Sequence, residues 1–198
     1  MDKQNIKAFF DMLAPEWDSG QIIEETKINH ILDSAKVKAG CRVLDIACGT
    51  GVLFPFYLQR ECAEIVGVDI SSAMCELAAA KFADIDKITI LNCDAAELPK
   101  EQFAEHFDCC MIYNAFPHFT DPQKLISCLT PLLKKNGTIT IAHSMGKDRI
   151  NAHHSGEASS VSRGLDAADK TALLFTDNFA IDYILDEEEI YLISAHKK

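Results

Sequence analysis

Short apolar runs alternate with longer amphipathic stretches along most of the chain. Arg42–Ala47, Glu64–Asp69, Lys87–Asn92, Phe107–Tyr113 and Gly137–His143 are apolar runs of strand length, the pattern of strands covered on both faces. Between them, Val52–Arg60, Ser71–Phe82 and Asp121–Leu133 read as helices. Ser71-Ser72 offers an N-cap with Met74, Leu77 and Ala78 recurring behind it, and Asp121-Pro122 sets a cap before a proline at the first helical position. Asn136-Gly137 reads as the stop after that last helix. Strands spaced by helices predict an α/β fold, a doubly wound, mostly parallel sheet with helices on both faces.

The ends break this rhythm. Phe9, Phe10, Leu13 and Trp17 form an apolar group ahead of the first strand, and Gln21–Ala35 is amphipathic. Ala180–Leu185 and Glu189–Ala195 are separated by too few residues for a crossover, so they pair as an antiparallel hairpin. A seven-stranded sheet that finishes in a hairpin differs from the ordinary dinucleotide-binding sheet. With no internal repeat and no linker, residues 1–198 read as a single domain whose first 38 residues form a helical cap. The Ser/Gly/His-rich segment 144–164 is the least regular stretch and the candidate substrate-side lid.

Composition narrows the partners. The 198 residues are 48% hydrophobic and 25% charged, enough for a sizeable core without disulfides or a structural metal. A formal charge of −11 disfavours nucleic acid and anionic membranes as partners. The opening residues Met1–Asn5 contain no signal-peptide core, and no apolar run approaches the roughly 20 residues of a membrane helix. The expectation is a cytoplasmic protein. Eight cysteines include no Cys-x-x-Cys pair, so they read as buried reduced thiols with no metal site. Adjacent Cys109 and Cys110, within one strand, point to opposite faces.

The chemistry concentrates where strands end. Val43-Leu44-Asp45-Ile46-Ala47-Cys48-Gly49-Thr50-Gly51 runs from a strand through a glycine turn into a helix, and glycines there let the backbone approach a ligand closely. The second strand ends in Asp69, placed to accept hydrogen bonds from ribose hydroxyls, and the third in Asp94. A dinucleotide fingerprint needs a third glycine where Phe54 stands. An acid at Asp45 also opposes a pyrophosphate and favours a cationic sulfonium and ammonium.

At these residues the chain resembles the class I S-adenosylmethionine-dependent methyltransferases. Leu44–Gly51 looks like their first motif and Val66–Ser71 like their ribose-binding segment. Asp94-Ala95-Ala96-Glu97-Leu98-Pro99 and the Phe9–Asp18 entry segment are similar to the ubiquinone/menaquinone-biosynthesis-type subgroup. The resemblance implies that S-adenosylmethionine is the cofactor and S-adenosylhomocysteine the product. It implies that Gly49 and Gly51 line the methionine and ribose, that Asp69 binds the ribose, and that Asp94 binds the adenine amine. Ile70 and Ala95 would flank the adenine, Trp17 would close over the cofactor, and Asp45, Ala47, Met74 and Asn114 complete the set.

The acceptor side is read from the segments after the fourth and fifth strands. Tyr113-Asn114-Ala115-Phe116-Pro117-His118-Phe119 carries no Asn-Pro-Pro-Tyr or Asp-Pro-Pro-Tyr run, which argues against base methylation. His118 is the first candidate base. His143 ends its strand at the same mouth, and Lys147, Asn151 and His154 share a face if 147–154 is helical. His118, His143, Asn151 and His154 are therefore the candidate catalytic residues. The absence of an inserted domain favours a small-molecule acceptor; thiol, phenol, amine, carbon acid and metalloid anion stay open. Two rival readings are a partner-dependent S-adenosylmethionine-binding protein without turnover of its own and a NAD-linked oxidoreductase.

Overall fold

The computed structural model describes residues 2–153, 157–175 and 177–198, without the side chains of residues 157 and 158. Seven strands form one sheet: β1 (Arg42–Ile46), β2 (Glu64–Asp69), β3 (Ile88–Asn92), β4 (Phe107–Tyr113), β5 (Leu133–His143), β6 (Phe179–Glu187) and β7 (Ile190–Lys197). Their order is β3-β2-β1-β4-β5-β7-β6, with β7 alone antiparallel to its neighbours. This is the doubly wound, hairpin-terminated sheet that the apolar pattern predicts.

The period-two side-chain alternation of strands sorts the core into two layers. Val43, Ile65, Cys109 and Met111 face α2 (Glu25–Ser34) and α3 (Phe54–Gln59). Leu44, Val66, Cys110 and Ile139 face α5 (Pro122–Leu129) and α7 (Ala168–Ala172). Cys109 and Cys110 thus divide between the layers. Seven of the eight free cysteines are buried and Cys93 is half-buried. No helix among the described residues is long and apolar enough to cross a membrane.

Local signals set most helix starts. Ser71 caps α4 (Ser72–Lys81), its hydroxyl accepting from the Met74 N–H at 3.1 Å. Asp121 caps α5, accepting from the Lys124 N–H at 2.9 Å. α1 (Lys3–Leu13) lies outside the sheet and docks on α4 through polar contacts. The Asp11 carboxylate accepts from the Ser71 hydroxyl at 2.7 Å and the Ala73 N–H at 3.1 Å, and Lys7 donates to Ser72 at 2.8 Å.

Three expectations need correction. The helix expected over Val52–Arg60 is shorter, Phe54–Gln59, because the glycine turn extends to Leu53 and Pro55 sits in the first helical turn. The helix expected to reach Leu133 ends at Leu129, and a single tight turn containing Pro131 leads into β5. Asn136 and Gly137 do not stop a helix: they lie inside β5, where its register against β4 jumps between Phe107 and Cys109. Asn136 adopts φ 63°, and a Cβ on Gly137 would come to 2.9 Å from the Lys134 carbonyl. The pair therefore forms a bulge in a strand, a use of Asn-Gly that local sequence does not separate from a helix stop.

β5 leaves the sheet through Gly146, whose N–H donates to the Glu188 carbonyl at 2.9 Å before α6 (Lys147–His153) begins. A Cβ there would lie 2.1 Å from the Glu187 carbonyl oxygen and 2.5 Å from that of Glu188. Backbone cannot yield as a side chain can. Gly146→Ala is expected to destabilise the protein by about 1–3 kcal/mol, the usual range for forced overpacking. Thermal and urea unfolding measure it; an unchanged midpoint would show that the hairpin turn does not hold α6.

Candidate active site

The carboxyl ends of five consecutive parallel strands open into a cavity of about 650 Å³, within the range of about 300–1,000 Å³ usual for small-molecule sites. Sheet order lays the candidate residues out in a row. Asp94 and Ala95 follow β3, Asp69 and Ile70 end β2, Ala47 and Gly49 follow β1, Asn114 and His118 follow β4, and His143 ends β5. At about 4.8 Å per strand the row spans roughly 19 Å. Met74 of α4 and Trp17 of the N-terminal segment also line the cavity.

At the centre is the turn after β1. Ala47, Gly49 and Gly51 all adopt positive φ (55°, 56° and 85°), a strained choice for the alanine. The Asp69 carboxylate holds this turn to β2. Its Oδ2 accepts from the Gly49 N–H at 2.9 Å and its Oδ1 from the Ser71 N–H at 2.8 Å. Burial pushes the Asp69 carboxyl above its ordinary range, with these two N–H donors opposing the shift. A carboxylate offers about four lone-pair sites, so acceptor capacity towards the cavity remains. A Cβ on Gly49 would reach 3.7 Å from the Trp17 indole nitrogen, so the indole sits over the turn.

Two predicted ligand contacts are corrected here. Gly51 does not line the cavity; a Cβ there would strike Phe54 at 2.7 Å and Phe82 at 2.8 Å, so the glycine makes room for aromatic packing. Asp45 does not line it either. Being two residues after Val43, it points to the α3 side of the sheet, where the Tyr57 hydroxyl donates to its Oδ2 at 3.2 Å. The Asp45 carboxyl is buried, and that burial raises its pKa to about 8, with the nearby Asp69 charge adding to the effect and Tyr57 opposing it.

The N-terminal segment forms the roof. Lys3, Ile6 and Phe10 of α1 line the cavity, and Lys3 pairs with the Asp94 carboxylate, which also accepts from the Ala96 N–H at 2.9 Å. Asp18 ties the roof down, accepting from the Thr50 hydroxyl and pairing with Lys81, both at 2.6 Å. The exposed Ile22 and Ile23 continue the wall towards the β5 side. In the sequence Phe10 and Trp17 stand out only as an apolar cluster, and nothing marks Lys3, whose partner is 91 residues away.

At the other end His118 is half-buried, its ring edge-to-face with Phe10 at 5.0 Å, and its Nδ1 lies 2.8 Å from the Val161 carbonyl. His143 is buried and packs edge-to-face on Tyr191 at 5.8 Å. Both line the cavity. Asn151 does not: its side chain donates to the Leu165 carbonyl at 3.0 Å and accepts from the Leu165 N–H at 2.7 Å, so its expected contact with the acceptor is corrected. His154 lies outside the described residues. Its neighbour His153, with Arg149, Ser144 and Met145, lines the mouth instead. Among the described residues no three His, Cys, Asp or Glu side chains are grouped to hold a metal ion.

Comparison with known proteins gives this geometry a context. Residues 43–137 match the family model described as a methyltransferase domain. Ubiquinone biosynthesis O-methyltransferase of Pasteurella multocida is 29% identical over 154 residues, covering 70% of this chain and 63% of the relative. The chain thus spans less than two thirds of that relative's length. Among solved structures, a putative methyltransferase from Haloferax volcanii, in complex with a methyltransferase activator, superposes with TM-score 0.78 at 20% identity, covering 95% of this chain and 97% of that one. Magnesium protoporphyrin IX methyltransferase from Synechocystis, with bound S-adenosylhomocysteine, superposes with TM-score 0.73 at 16% identity over the full length of both chains. At such identities the structural likeness concerns the fold.

Asp45 allows a test that needs no ligand. A carboxyl whose folded pKa is raised stabilises the fold below its unfolded pKa, near about 3.9, and that contribution is lost as pH rises through about 8. Asp45→Asn keeps an acceptor for Tyr57 and removes the titration. Its stability is expected to lose the downward slope that the parent shows between about pH 4 and 8. Parallel slopes in urea unfolding across that window would rule out a neutral Asp45.

Proposed function

We propose that this chain, which belongs to the class I S-adenosylmethionine-dependent methyltransferases, transfers a methyl group from that cofactor to a small-molecule acceptor. The observation that carries the reading is the strand-ordered row of groups along one cavity: two acids, a glycine turn, then two histidines. When bound, the cofactor supplies an electrophilic methyl on a sulfonium cation.

The residues present suit that ligand. Asp69 keeps acceptor capacity for ribose hydroxyls, and Asp94 has an oxygen held only by the partly exposed Lys3 ammonium. Ile70, Ala95 and Met74 supply apolar surface for the adenine ring, and Ala47, Gly49 and Asn114 a backbone open to the methionine portion. Trp17 excludes water from the turn. Asp45 and Gly51 act from behind, through packing.

On the acceptor side, His118 accepts the proton that a hydroxyl, thiol or amine releases on alkylation. His143 forms the far wall. Phe119, Met145 and Ile150 give this end an apolar lining that orients the acceptor, and the exposed Ile22 and Ile23 extend it at the rim. The cavity volume, shared with the cofactor, favours a compact acceptor over a folded macromolecule. Two of the similar proteins are named a ubiquinone biosynthesis O-methyltransferase and a magnesium protoporphyrin IX methyltransferase, which supports a small-molecule acceptor.

The first test is calorimetric titration with S-adenosylmethionine, S-adenosylhomocysteine and NAD, and then a methylation screen of phenols, thiols, amines and carbon acids. Micromolar binding of the sulfur nucleosides alone, with turnover on at least one acceptor, is expected. Binding of NAD instead would overturn the cofactor assignment. Tight binding with no turnover would favour the partner-dependent reading. His118→Gln is expected to slow turnover by about 10²–10⁴-fold, the range for a lost general base, while leaving S-adenosylhomocysteine affinity within about twofold. A variant that loses cofactor binding instead would place His118 on the wrong ligand.

A further inference from the structure

The stretch 161–165 returns from beyond α6 and crosses behind the tight turn Phe116–His118. Three contacts join the two. The Val161 carbonyl lies 2.8 Å from His118 Nδ1, the Arg163 N–H donates to the Pro117 carbonyl at 3.0 Å, and the Arg163 guanidinium lies 5.1 Å from the Phe116 ring centroid. A carbonyl oxygen only accepts, so the proton of a neutral His118 must reside on Nδ1. Its lone pair is then on Nε2. An unrestrained neutral imidazole prefers the opposite tautomer, so the strap works against an intrinsic preference.

The strap is anchored at its far end by the Asn151 side chain and by burial of Leu165 in the core. Asn151 of α6 brackets the Leu165 peptide, donating to its carbonyl and accepting from its N–H. The residue before it, Gly164, adopts φ +76°, and a Cβ there would lie 3.2 Å from the Asn151 side-chain oxygen. The bracket and the glycine are fitted to each other. Val161 itself is buried, which limits the movement of the strap at that end.

We propose that Asn151 is a positioning residue for His118, fixing the imidazole as its Nδ1–H tautomer through the strap 161–165. The purpose of that tautomer rests on the methyl-transfer reading: a base at Nε2 needs its lone pair there before the acceptor arrives. The tautomer itself does not depend on that reading. Asn151 touches neither cofactor nor acceptor, and the contribution of Arg163 is to keep the strap against Phe116.

Nitrogen-15 NMR of the imidazole side chains in the full chain tests this directly. The spectrum is taken at about pH 8, where an ordinary histidine of pKa about 6.5 is neutral, and His118→Gln identifies the signal. The parent protein is expected to show the Nδ1–H form. Asn151→Ala, which removes both bonds to Leu165, is expected to raise the Nε2–H fraction severalfold, with Asn151→Asp, which keeps one acceptor, intermediate. Arg163→Met loosens the strap from Phe116 while leaving the Asn151–Leu165 hydrogen bonds in place, and is expected to shift it in the same direction. A folded Asn151→Ala, or failing that Asn151→Asp, with the parental tautomer would overturn the positioning role whatever happens to turnover. With an acceptor in hand, kcat should fall about tenfold or more in Asn151→Ala at unchanged S-adenosylhomocysteine affinity. A changed tautomer with unchanged kcat would leave the positioning intact and remove His118 from the reaction, so the two claims fail separately.

Discussion

One buried carboxylate organises the site. Asp69 accepts the Gly49 and Ser71 N–H groups, joining the turn after β1 to the start of α4. Without that acceptor the buried Ser71 N–H would lose its partner, a cost of about 1–3 kcal/mol, and the half-buried Gly49 N–H would lose its own as well. The connection runs further: Ser71 caps α4 and its hydroxyl donates to Asp11, which docks the roof helix α1. Phe10 on that helix then meets the His118 ring. Hydrogen bonds therefore lead from the sheet to the roof helix, and a ring contact carries the connection on to the proposed base.

His118 is held from two sides by segments far apart in sequence. Phe10 packs on its ring edge-to-face from the N-terminal roof, and the strap 161–165 takes its Nδ1 from the other side. Neither segment belongs to the alternating β/α core. The parallel sheet supplies a cavity and the acids around it, while the two additions after and before the core pack around His118. The matched methyltransferase domain, residues 43–137, covers the first part and stops short of the second.

Acidic residues on neighbouring strands play opposite parts. Asp69 faces the cavity and is stabilised by N–H donors, whereas Asp45, on the neighbouring strand, faces the α3 layer with a single phenol. Burial raises both. Their like charges make it unfavourable to ionise both, and the two N–H donors at Asp69 oppose the upward shift that burial causes there. The net charge of −11 is a separate matter of the surface, where most acids are exposed or paired with Lys and Arg.

The sequence by itself determined the strands, their parallel order up to the hairpin, the glycine turn, and the acids at the ends of β2 and β3. These are local: an apolar run needs cover on both faces, a two-face alternation sends Cys109 and Cys110 apart, and a short acidic link cannot hold a crossover. It also contained the period-two rule that turns Asp45 away from the cavity, although electrostatic suitability argued for the opposite. What only tertiary structure decided is which polar side chain meets which partner across the chain. Asn151 looked like an acceptor-site residue by helical spacing, yet Leu165 satisfies it; Asn136-Gly137 looked like a helix stop, yet β4 pairing makes it a bulge; Gly51 looked like a ligand contact, yet Phe54 and Phe82 occupy its space. Each outcome depends on groups brought together by packing, and spacing along a chain carries no record of those neighbours.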